Sequence, residues 1–350
     1  MDPEFVHDRF VSIGSFLGQY KWTRAFTRFC FHWSDSSLSQ KIGGLVFENP
    51  VGLSAGFDKS GKLTQIIPDI GFSYMQIGSV TAHPYEGNPR PRLRRLKKSK
   101  ALVVYYGLKN DGVEVIISRL KKAKKRFPWG FSVAKTNSRN ASSCEDGIKD
   151  YIASLKALES SGLADFYTIN ISCPNTFGGE PYVEPHRLKK LLEAIEKLKI
   201  KKPIFLKMPI NLKWKDFKSL LEVISKFMIT GLVIGNLNKD HKDDAIKDVI
   251  PKNMKGGISG KPCQRNSDRL ISKTYKDYGD QFIIIGVGGV FTVDDAWEKI
   301  RKGASLIQLI TGMIYMGPQQ IGEINKGIAK RLKREGYTSV SQLVGSAHRS

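Results

Sequence analysis

Residues 165–176 read Asp165-Phe166-Tyr167-Thr168-Ile169-Asn170-Ile171-Ser172-Cys173-Pro174-Asn175-Thr176. The first half is a short, apolar, β-rich run and predicts a buried parallel strand. The second half ends that strand in two amides, a hydroxyl and a thiol, with Pro174 stiffening the turn. Asparagine carries donors and acceptors, so a pair of them can grip a planar ring bearing amide and carbonyl groups. A thiol ionises near pH 8.5, roughly, close enough to neutrality to serve as a base. The alternative is a polar loop around a structural cysteine, since free cysteines are mostly buried and inert.

The same beat recurs along the chain. Apolar runs over 50–55, 74–77, 130–133, 166–170, 204–207, 231–234, 282–286 and 305–309 predict strands, and each ends in glycine or polar residues. Amphipathic stretches over 146–160, 186–198, 214–227, 266–278 and 292–301 predict helices between them. Eight strand-then-helix units point to an α/β fold, a closed (β/α)8 TIM barrel spanning 41–350, with its chemistry at the carboxyl ends of the strands. Residues 1–40 predict a short N-terminal helical, aromatic extension. Two long connections break the rhythm: 80–112, expected to be irregular, and 176–185, whose Gly178-Gly179 suits a hinged lid.

At the predicted strand ends the polar residues accumulate. Strand one closes with Ser54-Ala55-Gly56-Phe57-Asp58-Lys59, small enough for a flat ligand and charged enough to hold it. Strand five carries Lys207, which needs an anionic partner if buried. Strand six ends in Asn236. Gly256-Gly257-Ile258-Ser259-Gly260, Gly286-Val287-Gly288-Gly289 and Thr311-Gly312 read as glycine-rich turns that present backbone N–H groups to a phosphate. They predict a phosphorylated cofactor such as FMN, with Lys207 offsetting the charge of its reduced ring.

Composition narrows the classes. With 350 residues, 41% hydrophobic, the chain can bury a full core. Cys30, Cys144, Cys173 and Cys263 are scattered without paired spacing, which predicts no zinc site, no disulfide framework and an intracellular, reducing compartment. No apolar run reaches the roughly 18 residues of a membrane span, and the opening residues predict no signal peptide. Lys and Arg exceed Asp and Glu by 56 to 33, giving +23. That charge suits nucleic acid, an anionic membrane or acidic small molecules, yet basic runs such as 121–126 and 197–202 fall where helices end and complement their dipoles. Residues 1–33 mix Phe5, Phe10, Phe16, Trp22, Phe26, Phe29 and Trp33 with Arg9, Lys21, Arg24 and Arg28. Such a segment either lies on a membrane or caps a hydrophobic tunnel, or else packs on the body of the chain. Gly14 and Gly18 interrupt it.

Taken together, Asp2-Pro3-Glu4 with His7, Phe47-Glu48-Asn49-Pro50-Val51-Gly52-Leu53, Ala55-Gly56-Phe57-Asp58-Lys59, Ile77-Gly78-Ser79-Val80-Thr81 and Glu86-Gly87-Asn88-Pro89-Arg90-Pro91-Arg92 resemble the dihydroorotate dehydrogenases. So do residues 170–176, 256–262, 284–290 and 345–349, and the likeness is to the class 2, quinone-reducing, membrane-associated branch. It implies oxidation of dihydroorotate to orotate in pyrimidine biosynthesis, a base taking the C5 proton, FMN taking the C6 hydride, and quinone as the final acceptor. By match to the motifs, Cys173 takes the base position. Lys59, Asn170, Asn175 and Asn236 hold substrate. Ala55, Gly56, Lys59, Ser79, Asn170, Lys207, Ser259, Gly260, Gly288, Gly289 and Thr311 hold FMN, and His7 and Arg95 mark the quinone site. The resemblance implies no nucleic-acid partner and no metal, and a cytoplasmic or peripherally membrane-associated enzyme. It also implies two N-terminal helices, of which this chain is expected to carry the second.

Several positions depart from that pattern. The class 2 base is usually serine, and cysteine is the class 1 habit. Val104-Tyr105 stands in place of an Asn-Arg pair, Leu108 in place of Phe, and Leu237 in place of Thr. Ala134-Lys135 occupies the place of an FMN-binding Asn, and Ile310 that of a Tyr. Polar groups on orotate left unmatched would cost on the order of 1–3 kcal/mol each. The alternatives are therefore an FMN oxidoreductase for another cyclic amide and a flavin-binding homologue without catalysis. A dihydrouridine synthase, which would use the +23 charge, ranks last for want of a basic C-terminal appendage.

Overall fold

The computed structural model describes residues 2–141 and 143–349; Met1 and Ser350, the outer limits of the two expected segments, lie outside the described residues. In chain order the strands are β1 (Gln40–Ile42), β2 (Leu45–Phe47), β3 (Val51–Leu53), β4 (Tyr74–Val80), β5 (Leu93–Leu96), β6 (Ala101–Val104) and β7 (Trp129–Val133). They continue with β8 (Phe166–Asn170), β9 (Ile204–Met208), β10 (Gly231–Ile234), β11 (Gly257–Gly260), β12 (Ile283–Val287) and β13 (Leu306–Leu309). Eight of them, in the order β3-β4-β7-β8-β9-β10-β12-β13, close into a parallel barrel. The helices are α1 (Pro3–Leu17), α2 (Lys21–Phe31), α3 (Ile67–Ile70), α4 (Val113–Leu120), α5 (Cys144–Ser161), α6 (Pro185–Glu196) and α7 (Trp214–Ile224). After them come α8 (Gln264–Tyr278), α9 (Val293–Arg301), α10 (Thr311–Met316), α11 (Gln320–Arg334) and α12 (Val340–Leu343). The expected TIM barrel with an N-terminal helical extension is the observed fold.

Alternation along each barrel strand builds the interior in layers. Tyr74, Phe166, Phe205, Val233, Ile285 and Leu306 form one apolar cluster with Phe47, closed from below by the β1–β2 hairpin. Gly130 makes room there, because a Cβ on it would lie 2.2 Å from the Phe166 ring. One layer up, Gln76 donates to Thr168 Oγ1 at 2.7 Å. Above it, Asn170 on β8 sits in register with Lys207 on β9. The opposite faces, including Tyr167, Ile169, Leu206 and Ile284, pack against the helices in the main core. The floor is thus apolar, and Asn170 and Lys207 stand at the other end of the interior, which is how the fold delivers chemistry to one end.

Three expectations are corrected. Residues 80–112 are not irregular: β5 and β6 form a hairpin, and β6 pairs antiparallel with β11. For the same reason residues 256–260 are an edge strand of this three-stranded sheet rather than a turn; Ser259 pairs with Leu102 and Gly260 with Ala101. Finally, residues 3–31 hold two helices where one was expected. Gly14 does not break α1. It allows close packing on Leu63, whose Cδ2 would lie 2.8 Å from a Cβ there, and the helix ends only at Gly18.

Candidate active site

The mouth of the barrel holds one cavity lined by His7, Ala55, Gly56, Lys59, Ser79, Val104, Lys109, Asn170, Cys173, Asn175, Lys207, Asn236, Ser259 and Thr311, among others. A second cavity adjoins it and adds Gly260, Gly288 and Gly289. Every site residue expected from the sequence lies in one of the two, except Arg95. Arg95 sits two residues beyond the cavity-lining Leu93, on the same face of β5 but outside the lining. Neither lining contains an aspartate or glutamate, while Lys59, Lys109 and Lys207 all reach the first cavity.

Short-range hydrogen bonds fix the amides. Asn170 Nδ2 donates to Ser79 Oγ at 2.9 Å, and Ser79 Oγ lies 2.8 Å from Ser132 Oγ. Asn236 Nδ2 donates to the Ser172 carbonyl at 2.6 Å, and Ser172 Oγ donates to the Lys207 carbonyl at 2.8 Å. Asn175 Nδ2 donates to the Val104 carbonyl at 2.8 Å, tying the loop after β8 to the end of β6. Ser132 was missed by the sequence reading, which looked to Ala134-Lys135 for the polar group of strand three. The signal was available: Ser132 is two residues after Gly130, so alternation turns it inward.

Helix α1 delivers His7. Asp2 caps the helix by accepting from the N–H groups of Glu4 (2.7 Å) and Phe5 (3.0 Å), and Pro3 suits its first turn. Buried Glu4 then pairs with Arg92 at 3.1 Å, Arg90 at 3.3 Å and Lys109 at 3.5 Å. This anchors α1 on the β4–β5 connection and on the segment after β6. His7 Nε2 comes 3.0 Å from the Phe57 carbonyl and Nδ1 3.1 Å from Asp8 Oδ1. Burial and then the Lys59 charge lower the His7 pKa, more than Asp8 and Phe57 raise it.

The remaining titratable groups are dominated by desolvation. Burial lowers Lys207 to about 8, and the Cys173 thiol is the one group opposing that shift. Lys59 is likewise lowered by burial to about 8, with its Nζ 4.0 Å from the centre of the Tyr106 ring. Burial raises Cys173 to about 11, against the Asn175 N–H, Lys207 and Lys135. Sequence reasoning named Lys59 as the cation beside the thiol and left its balance with burial open. Burial wins, and Lys207 and Lys135 are the cations that oppose it. Among the described residues, no group of three or more His, Cys, Asp or Glu side chains could hold a metal ion.

Comparison with known proteins accounts for this arrangement. The dihydroorotate dehydrogenase family pattern matches residues 37–332. The chain belongs to the dihydroorotate dehydrogenase family. It is 33% identical to a dihydroorotate dehydrogenase (quinone) of Trichodesmium erythraeum, over 99% of this chain and 95% of that protein. With the enzyme of the same description from Mycolicibacterium smegmatis it shares 37% identity over 90% of this chain and 87% of the relative. The solved ligand-free DHODH of Eimeria tenella superimposes with a TM-score of 0.87 at 27% identity, covering 100% of both chains. Dihydroorotate dehydrogenases are flavin enzymes, and the chemistry of the mouth fits a flavin. Lys207 is a buried ammonium that forms no ion pair among the described residues, and the cavity around it offers amides, hydroxyls and backbone but no carboxylate. An electron-rich, anionic ligand suits that environment.

Proposed function

We propose that this protein oxidises dihydroorotate to orotate with FMN as its cofactor and passes the electrons to a quinone. The observation that carries the reading is a cavity with three lysines and no carboxylate, in which a thiol and three asparagines converge. Bound FMN supplies the hydride acceptor for C6 of the substrate. Ala55, Gly56, Ser79, Ser259 and Lys207 would hold the ring, and Gly260, Gly288, Gly289 and Thr311 the phosphate end, in the cavity that adjoins the substrate side. Lys59, Asn170, Asn175 and Asn236 orient dihydroorotate by matching its carboxylate and ring amides. Cys173, as thiolate, takes the C5 proton: the C5–H bond breaks, an S–H bond forms, and the released electron pair makes the C5–C6 double bond as hydride leaves C6. Lys207 offsets the negative charge that builds up on the cofactor side.

We read α1 and α2 as the acceptor side. Phe10, Phe16, Trp22, Phe26 and Phe29 are exposed there, beside Arg24 and Arg28. No helix among the described residues is long and apolar enough to cross a membrane. An apolar, basic pair of helices suits peripheral contact with a membrane in which quinone dissolves, with His7 at the junction between that surface and the flavin cavity. Anaerobic mixing of purified yellow protein with dihydroorotate, followed by flavin absorbance, tests the reading. Bleaching is expected, and reoxidation by a short-chain quinone should outrun fumarate or NAD at matched concentration. A flavin that stays oxidised refutes it.

Val104 favours a second reading. It lines the cavity with an apolar side chain, and its carbonyl occupies the amide donor of Asn175. A different cyclic amide lacking one polar group would then be the better substrate, and a panel of such compounds compared by flavin bleaching decides between them.

A further inference from the structure

The connections after β4, β7 and β8 enclose a further cavity of about 460 Å³, beside the two at the barrel mouth. Small-molecule sites span roughly 300–1,000 Å³, so its size is in their range. Tyr85, Tyr105 and Phe177 supply its aromatic lining, and Arg139 is the one charged residue among those described in its wall. Arg139 and Phe177 are exposed, so the cavity opens to solvent. Its frame is fixed by two buried amides. Tyr85 Oη donates to Asn88 Oδ1 at 2.8 Å, and Asn137 Nδ2 donates to the same oxygen at 3.1 Å. Asn88 Nδ2 donates to the Asn175 carbonyl at 2.9 Å, and Asn137 Oδ1 accepts from the Phe177 N–H at 2.6 Å.

Those amides are spent on the frame, which leaves the rings, Arg139 and the Tyr105 hydroxyl to meet a ligand. The cavity is also joined to the active site. Asn175 lines both this cavity and the inner one, where it stands with Lys59, Asn170 and Cys173. From Arg139 outside to Lys59 within, both linings carry cations, and neither holds an aspartate or glutamate among the described residues. A carboxylate therefore meets attraction at each end of that path and no like charge along it. Aromatic walls suit the face of a flat ring.

We propose that this cavity is an outer subsite for planar carboxylates, which holds dihydroorotate before it passes Asn175 and orotate on its way out. The identity of the ligand rests on the function proposed above, whereas the subsite rests on the cavity and its link through Asn175. Arg139 takes the carboxylate in a charge-assisted pair, and Tyr85, Tyr105 and Phe177 take the ring. The subsite acts on capture and release: it raises the local concentration of substrate at Asn175 and leaves the chemical step to the inner cavity.

Calorimetric titration of flavin-loaded protein with orotate tests the subsite. Two binding events are expected, and Arg139→Gln should lose the weaker one. In stopped flow, Arg139→Gln should slow flavin reduction about tenfold at limiting dihydroorotate and low salt, the low end of electrostatic steering. The rate at saturating dihydroorotate should move far less, and the salt dependence at limiting substrate should flatten. Tyr105→Ser keeps the charge and should weaken the outer event alone. Lys276→Gln, the same loss of charge on the exposed side of α8, should change neither measurement. Orotate titrations that superimpose for the parent and Arg139→Gln, or equal rates at limiting dihydroorotate, overturn the proposal. A parent whose flavin dihydroorotate does not bleach removes the proposed function instead, and the orotate event lost or kept in Arg139→Gln still decides the subsite.

Discussion

Two lysines at the same depth have opposite surroundings. Lys299 on α9 is fully buried between helices, where its ammonium pairs with Asp268 and lies 3.3 Å from Ser267 Oγ. The other Asp268 oxygen takes Lys302 at 3.1 Å. Lys207 on β9 is 6% exposed, points into the barrel mouth and has no carboxylate partner among the described residues. Burial lowers the pKa of both, but Asp268 pulls Lys299 back, while Lys207 has only a thiol. The lesson is that depth alone does not separate a structural charge from a functional one. The counter-charge does: where the chain supplies it, the lysine holds helices together, and where it does not, a ligand is expected to.

The contrast can be broken first at its chemical end. Cys173→Ala, beside Lys207, should slow flavin reduction by dihydroorotate about 10²–10⁴-fold in stopped flow, the range for losing a general base. Its FMN content should stay at parental level, and Cys173→Ser should keep partial activity. In the parent, reduction should rise with pH towards about 11, because burial lifts the thiol to that value and only the thiolate accepts a proton. A flat profile would detach Cys173 from the chemistry.

On the structural side, Asp268→Ala strands Lys299 and should cost about 3–5 kcal/mol in urea denaturation, as when one partner of a buried pair is removed. Flavin per folded molecule should not change. A variant of normal stability that has lost flavin would reverse the assignment of the two lysines.

A smaller effect is expected for Lys207→Ala. It should weaken flavin binding about 10–100-fold by equilibrium dialysis, in line with about 1.5–3 kcal/mol for a charge-assisted hydrogen bond. The flavin-free protein should be no less stable, since an unpaired buried charge is gone.

The smallest effect lies in the pH dependence of stability. Lys207 and Lys59 are both lowered to about 8 from an ordinary 10.5, so between those values the unfolded chain binds more protons than the folded one. Flavin-free stability should therefore rise with pH from about 8, by on the order of 1 kcal/mol per lysine over one unit. Cys173 acts in the opposite sense above 9, because its folded pKa of about 11 exceeds its ordinary 9.0. Lys207→Met should flatten the rise between 8 and 9, and an unchanged slope would mean that Lys207 is charged and paired in the flavin-free fold.

The chain by itself determined the barrel and most of its mouth. Strand runs ending in glycine, amide and lysine are local signals, and alternation carries them to one end of the barrel, so Asn170, Cys173, Lys207 and Asn236 were legible in the sequence. The N-terminal likeness around Asp2-Pro3-Glu4 and His7 was legible too, though not its consequence, that buried Glu4 gathers Arg90, Arg92 and Lys109 to seat His7. Tertiary structure alone decided what depends on partners distant in sequence. The β5–β6–β11 sheet joins residues about 160 apart, and a pairing over that distance leaves no periodicity in either segment. Gly14 read as a break because a missing side chain looks the same whether it frees the backbone or admits Leu63. Above all, the ionisation of Cys173 was undetermined, since burial and nearby cations act on it with opposite sign and only the packed arrangement sets their balance.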